Sequence, residues 1–233
     1  MSHNPRLVQV RQNVLKRNDV AARALRSRFH AAGTYVVSLV SSPGSGKTAF
    51  LESLLGRLLG RYRVAALVGD LATDNDARRL ARSGAPVKQI LTGTVCHLDA
   101  EMVESALEDE PWGDLDFLFI ENVGNLVCPS SYDLGEDLRL VLFSVTEGED
   151  KPLKYPTIFN TADVAIVTKT DLALAAEFDV EAARRNIESV QPDMKIFEVS
   201  SKTGAGMQDW LSFLESQRCS DKSLDATLEV TGP

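Results

Sequence analysis

The chain has 233 residues, 44% of them hydrophobic, and a formal net charge of −8, which fits one ordinary globular domain with short terminal segments. The charge is uneven: residues 1–30 carry seven Lys/Arg against one Asp, whereas the remainder carries 18 basic and 32 acidic residues. An acidic body excludes general nucleic-acid binding, and no apolar stretch is long enough to span a bilayer, so neither nucleic acid nor membrane is expected as a partner. No signal-peptide pattern opens the chain, and a cytoplasmic location is expected. Three cysteines, Cys96, Cys128 and Cys219, cannot build a disulfide framework and read as thiols or metal ligands.

Residues 5–31 have the period of an amphipathic helix, with Val10, Val14, Ala21, Leu25 and Phe29 on one stripe and Gly33 as terminator. This basic arm (1–33) can dock on a partner or on the body, although a solvated helix face is the simpler expectation. The body is expected over 34–218, and the polar, aperiodic residues 219–233 are expected to be disordered.

An apolar run at 35–40 leads into Ser41-Ser42-Pro43-Gly44-Ser45-Gly46-Lys47-Thr48, and a helix-like segment at 48–59 leads out. Strand, glycine-rich turn with Lys-Thr, then helix is the context of a phosphate-binding P-loop. Gly44, Ser45 and Gly46 let backbone N–H groups close around phosphate oxygens at a helix N-terminus. Lys47 would reach the β- and γ-phosphates, and the Thr48 hydroxyl would take a position on Mg²⁺. Ser41 stands where the usual pattern has its first glycine.

Three strand-then-loop units follow, 64–69 into 70–76, 87–91 into 92–99 and 117–120 into 121–136, with helices near 76–82 and 99–108. An apolar run at 138–145 leads into 146–156. Strands at 164–167 and 196–199 then alternate with helices near 180–190 and 207–217. This alternation predicts the α/β fold of a P-loop NTPase: a mainly parallel central sheet with helices on both faces, plus the N-terminal helix. Ligands of such sheets lie outside the carboxyl ends of the strands, where all the unusual loops of this chain should converge.

Asp70 ends a buried-type strand and can hold Mg²⁺ directly or through water; Asp74 and Asp76 follow in the same loop, where either can also be a helix cap. Glu121 closes the run Phe117-Leu118-Phe119-Ile120 and suits a water-mediated Mg²⁺ contact, with Gly124 three residues on free to bring its N–H to the γ-phosphate. In Thr168-Lys169-Thr170-Asp171 the carboxylate of Asp171 can accept two hydrogen bonds from guanine while the Lys169 stem covers the base. This is similar to the base-recognition motif of GTPases, with Thr168 in place of the usual Asn. Ser201 and Lys202 follow a later strand, where that family offers a backbone N–H to the guanine oxygen. GTP is therefore expected over ATP. No glutamine is placed to orient the attacking water; Asp74, Asp76 and Asn125 are the candidates, and slow turnover is expected, with Lys47, Asp74 and Asp76 as catalytic residues.

Cys96-His97 and Cys128 lie in loops at the same expected sheet edge. Two thiols and an imidazole suit Zn²⁺ or Ni²⁺, and three ligands leave room for a second, symmetry-related chain, so a homodimeric site is expected. Because Glu121, Gly124 and Cys128 share one segment, nucleotide and metal should be coupled.

These residues carry a resemblance. The chain is similar to the HypB family, GTPases that help insert nickel during [NiFe]-hydrogenase maturation. The match runs from about residue 35 to 217 and includes Cys96-His97-Leu98-Asp99, the stretch 119–129 (Phe-Ile-Glu-Asn-Val-Gly-Asn-Leu-Val-Cys-Pro) and the stretch 145–156 (Val-Thr-Glu-Gly-Glu-Asp-Lys-Pro-Leu-Lys-Tyr-Pro). The resemblance implies a GTP-dependent homodimer with metal held by Cys96, His97 and Cys128 at its interface. It implies a small zinc-containing HypA-like partner and delivery to the hydrogenase large subunit. Some members add an N-terminal cysteine cluster or a histidine-rich tract; the first 95 residues here hold no Cys and only His3 and His30, so neither nickel storage nor such a site is expected. Lys151 and Lys154 lie in a family-like loop and face phosphates, a partner chain or solvent. The alternatives are a sister GTPase of urease or cobalamin-enzyme assembly and a metal-binding storage protein with an idle nucleotide site. A small-molecule kinase is disfavoured by the lack of a lid or an arginine cluster.

Overall fold

A computed structural model describes residues 5–71, 73–108, 110 and 112–229, without side chains at 5–11 and 220–229. Seven strands form one sheet: β1 (Tyr35–Ser41), β2 (Val64–Asp70), β3 (Val87–Leu91), β4 (Phe117–Glu121), β5 (Leu138–Ser144), β6 (Val164–Thr168) and β7 (Lys195–Glu198), in the spatial order β3-β2-β4-β1-β5-β6-β7. All six pairings are parallel, where the sequence predicts a mainly parallel sheet. The near-continuous Val/Leu/Phe/Ile composition of β1, β4, β5 and β6 suits strands covered on both faces, and every residue in these four is buried.

Alternation along the strands sorts the core into two layers. Val37 and Leu39 point to the face covered by α2 (Lys47–Leu58) and α8 (Met207–Glu229), where Phe50, Leu54 and Trp210 pack. Val36, Leu118 and Ile120 point to the opposite face, against α1 (Pro5–Ala31) and α4 (Ala100–Glu108). Further along that face, Val141, Phe143 and Val167 meet α6 (Pro156–Asn160) and α7 (Val180–Val190). The remaining helices, α3 (Asn75–Leu80) and α5 (Lys151–Lys154), are short pieces at the carboxyl edge. α5 and α6 escape periodicity at four and five residues, but each has a proline in its first turn, where the missing N–H costs nothing.

α1 lies on the body rather than presenting a free solvated face. Ala22, Leu25 and Phe29 are buried as the stripe requires, but Val14 is exposed and Ala21 only half-buried; the Val10 side chain lies outside the described residues. The reason is Asn18, a polar residue 4% exposed inside the stripe. Its Nδ2 donates to the Asp133 carbonyl at 2.9 Å and its Oδ1 accepts from the Ala100 N–H at 2.9 Å, so it ties α1 to the loop at Asp133 and to the first residue of α4 at once. Arg17–Glu101 (2.5 Å), Arg26–Asp133 (2.7 Å) and His30–Asp137 (2.7 Å) flank it. Asn18→Ala strands a buried N–H and a carbonyl, and is expected to lower stability by about 1–3 kcal/mol in urea denaturation.

The closing helix passes its expected end at 217 and runs to Glu229, across part of the segment expected to be disordered. Polarity alone does not stop a helix: no Gly or Pro intervenes before Gly232-Pro233. Residues 230–233 lie outside the described residues. Among the described residues no helix is long and apolar enough to cross a membrane.

Candidate functional site

The strand order puts β1 between β4 and β5, so the turn leaving β1 opens where the connections diverge to the two sides of the sheet. That turn is residues 41–48. Gly46 has φ +95, a left-handed conformation open to glycine, and it starts α2 so that the free N–H groups of that helix face the cavity. A cavity of about 650 Å³ follows, lined by Gly44, Lys47, Thr48, Asp70, Asp76, Arg79, Gly124 and Lys169 among others.

Ser41 has a specific use here. Its Oγ, fully buried, accepts from Lys47 Nζ at 2.8 Å and from Ser45 Oγ at 2.5 Å, and donates to the Ser42 carbonyl at 2.7 Å. The hydroxyl thus holds the ammonium that a phosphate would recruit. Ser41→Gly is expected to cost the ligand-free chain about 1–3 kcal/mol and to tighten GDP binding by up to about tenfold, because the nucleotide no longer competes with a hydroxyl for Lys47. Paired thermal melts and fluorescence titrations with labelled GDP measure both.

β1–β4 register pairs Leu39 with Glu121, which carries the Glu121 carboxylate to the foot of α2. Its Oε1 accepts from Thr48 Oγ1 at 2.8 Å, whereas Oε2 is buried with no hydrogen-bond partner. Burial raises the Glu121 pKa to about 7 against the pull of Lys47 and the Thr48 hydrogen bond. Burial also lowers the Lys47 pKa, opposed first by Glu121. Both partners move towards neutrality, so desolvation outweighs their mutual attraction. An orphaned carboxylate oxygen beside a hydroxyl suits a divalent cation: Thr48, Glu121 and Asp70 could hold Mg²⁺.

Asp70 lines the cavity, and its oxygens accept from Leu71 N (2.7 Å), Thr73 N (3.1 Å) and Thr73 Oγ1 (2.5 Å). Desolvation pushes its pKa up, but these hydrogen bonds prevail and lower it. Asp76 lines the cavity too; Asp74 instead pairs with Arg78 at 2.8 Å, as a residue four positions away on a helix allows. The structure therefore separates two residues that the sequence treats alike. Asn125 is turned away as well, donating to the Cys96 carbonyl at 3.3 Å and accepting from Val127 N at 2.8 Å. Arg79 and Glu147 are additions that the sequence reading missed. Arg79 lines the cavity while paired to Glu52 at 2.8 Å. Glu147 accepts from Ser42 Oγ and pairs with Lys151 at 3.1 Å. For Glu147 a signal existed, since Ser144-x-x-Glu147 is a capping-box pattern, and the box forms. Lys154 pairs with Asp150 at 2.6 Å.

A second cavity of about 220 Å³ shares Gly46, Ala49 and Lys169 with the first and continues to Thr168, Asp171, Ser201 and Lys202. Thr168 Oγ1 donates to the Ser45 carbonyl at 2.5 Å, so the residue standing in for Asn still ties this loop to the P-loop. Lys169, at φ 58, sends Nζ to the Gly44 carbonyl at 2.7 Å and lays its stem along the wall. Ser200 Oγ donates to Asp171 Oδ1 at 2.6 Å and so orients that carboxylate. The two cavities together make one trough with a cationic, glycine-rich end and a carboxylate end.

At the same sheet edge, ligand atoms of Cys96, His97 and Cys128 lie within 4.8 Å of one another. Leu98 N and Val123 N both donate to Asn122 Oδ1, at 3.0 and 2.9 Å, which clamps the Cys96-His97 loop onto the segment that leaves β4. The His97 ring stacks on Tyr132 with centroids 3.9 Å apart, and its buried Nδ1 has no partner. Burial lowers the His97 pKa against a weaker upward pull from Asp99, which favours the neutral imidazole that binds metals. Two thiols, a neutral imidazole and an orphaned ring nitrogen fit a soft divalent ion. Gly124 links this site to the trough: a Cβ there would stand 3.1 Å from Pro43 Cα, so the segment from Glu121 to Cys128 presses directly on the P-loop.

A model of the CobW/HypB/UreG nucleotide-binding domain matches residues 35–198. The hydrogenase maturation factor HypB of Azotobacter chroococcum is 50% identical over 214 residues, covering 91% of this chain and 70% of that protein. The hydrogenase/urease maturation factor HypB of Helicobacter pylori is 43% identical over 224 residues, covering 92% and 91%. The crystal structure of Helicobacter pylori HypB in complex with nickel superimposes with a TM-score of 0.83 at 42% identity, covering 88% of this chain and 96% of that one. Identity of this degree over nearly the whole chain, with the domain model spanning all seven strands, means that the chain belongs to the HypB branch of the CobW/HypB/UreG nucleotide-binding family.

Proposed function

We propose that the chain is a cytoplasmic, GTP-binding and slowly GTP-hydrolysing metallochaperone that assists nickel insertion into the large subunit of a [NiFe]-hydrogenase. The observation that carries this reading is the convergence of Cys96 and His97, from the loop after β3, with Cys128, all within 4.8 Å, where Cys128 lies on the segment continuous with Glu121 and Gly124. Gly44, Ser45 and Gly46 receive the phosphates, Lys47 leaves Ser41 for the β- and γ-oxygens, and Asp171, Lys169, Ser201 and Lys202 take the guanine. Thr48, Glu121 and Asp70 would hold Mg²⁺, which would supply positive charge to the phosphates. Asp76 lines the phosphate end and is the better placed of the two loop carboxylates to orient water. Nickel is cargo, and zinc suits the same donors.

The cargo site supports a homodimer: three ligands leave coordination positions open, and Val127, beside Cys128, is 63% exposed. A HypA-like zinc protein is the expected exchange partner. Nickel titration of the full chain with GDP and with a non-hydrolysable GTP analogue, followed by mass in solution, tests the reading. Mass doubling and altered nickel stoichiometry with the analogue are expected; a permanent monomer with nickel binding indifferent to nucleotide overturns it. The name of the Helicobacter relative favours a second client, urease. Deleting the gene and assaying both enzymes separates the two readings.

A further inference from the structure

The two thiols of the cargo site stand unusually close. Cys96 Sγ lies 2.8 Å from Cys128 Sγ, and the two residues are not joined in a disulfide. A disulfide bond needs about 2.05 Å between sulfurs, with Cβ atoms roughly 3.5–4.5 Å apart. Closure therefore asks the sulfurs to approach by less than about 1 Å. The backbone is already held for it: Asn125 Nδ2 donates to the Cys96 carbonyl from the strand of chain that carries Cys128, and Asn122 clamps the same loop two residues further on. Both thiols are half-buried, so a small oxidant can reach them.

We propose that Cys96 and Cys128 form a reversible intramolecular disulfide that excludes the cargo metal, making the site a thiol-redox gate; this rests on the cargo reading above. The co-reactant is a low-molecular-weight disulfide such as oxidised glutathione. One cysteine sulfur, having lost its proton, attacks a sulfur of that disulfide; the S–S bond breaks and one small thiol leaves. The second cysteine then attacks the protein-bound sulfur of the mixed disulfide and expels the second small thiol. The protein loses two hydrogens and two electrons, and one small disulfide becomes two small thiols. The bond removes both sulfur donors and leaves His97 alone, which is not a nickel site. A dithiol reductant reverses it. The gate would release or refuse nickel when thiol pools oxidise, before cargo bound through thiolates is itself damaged.

The test uses the full chain carrying Cys219→Ser, which removes an exposed thiol on α8 that is not part of the site. Reduced, metal-free protein is incubated in glutathione buffers of graded redox poise and then digested and mapped by mass. The expected result is a Cys96–Cys128 linked peptide pair from monomeric protein, lost on adding dithiothreitol, with nickel affinity of the oxidised form lower by more than about tenfold. Preloading with nickel should slow oxidation. Glutathione adducts without the linked pair, disulfides between chains, or an oxidised form that keeps its nickel would each overturn the gate. Nickel titration of the reduced protein reports separately on the cargo reading: if the reduced chain binds nickel and the linked pair never forms, only the gate falls. Cys128→Ser should stop at a glutathione adduct on Cys96.

Discussion

Lys47→Ala is expected to lower kcat/KM for GTP by at least about 100-fold, the loss that follows from deleting one charge-stabilising donor at a transferring group. Lys47 is 7% exposed and is the ammonium at the glycine-rich end of the trough. Its burial is unfavourable in the ligand-free chain, where its pKa is lowered, and phosphate oxygens would reverse that. The substitution should therefore spare folding while removing turnover: an unchanged or raised melting temperature with turnover lost is the expected pair of results in a phosphate-release assay. Near-normal turnover would show that Lys47 is not the phosphate contact. The same variant in cells separates GTP-driven maturation from a storage role, since storage would survive it.

Glu121→Gln should act in two opposite directions. The Glu121 pKa is raised from 4.5 to about 7 by burial. Between those values the unfolded chain gives up this proton while the native chain keeps it. The native state then binds more protons, and stability falls as pH rises, by roughly 3 kcal/mol in all before levelling off above about pH 7. Glutamine cannot ionise, so urea denaturation of the metal-free variant should lack that slope between pH 4.5 and 7 and match or exceed the parent at pH 8. The variant should also lose Mg²⁺-dependent GTP affinity, because a carboxylate oxygen has been exchanged for an amide. Parallel slopes in the two proteins would mean that Glu121 is not the titrating group.

Much of the site was legible because its residues are bound to local motifs. A Gly-Lys-Thr turn between an apolar strand and a helix has few other structural solutions, and Asp171 and Glu121 sit at strand ends that hydropathy marks. What escaped depends on contacts between segments far apart in the chain. Asp74 and Asp76 are equivalent by spacing, and only the folded loop pairs one with Arg78 and puts the other on the cavity wall. Asn125 looked like a water-positioner from its place after Gly124, but its amide is used to hold the Cys96 loop. The stripe on α1 fails at Val14 because the helix docks through Asn18, a contact with Ala100 and Asp133 that no periodicity can foresee.

The sequence by itself determined the layered α/β architecture, the Gly-Lys-Thr turn and the identity of the candidate nucleotide and metal ligands, because each is written in hydropathy period or in residues a few positions apart. Tertiary structure alone decided that β4 pairs with β1, so that Glu121 meets Thr48 at 2.8 Å. It also decided that Ser41 holds Lys47, and that Cys96 and Cys128, 32 positions apart, bring their sulfurs to 2.8 Å. Strand order is a property of the whole sheet, set by which faces must be covered together. Distances across it follow from that order, not from any neighbouring residues in the chain.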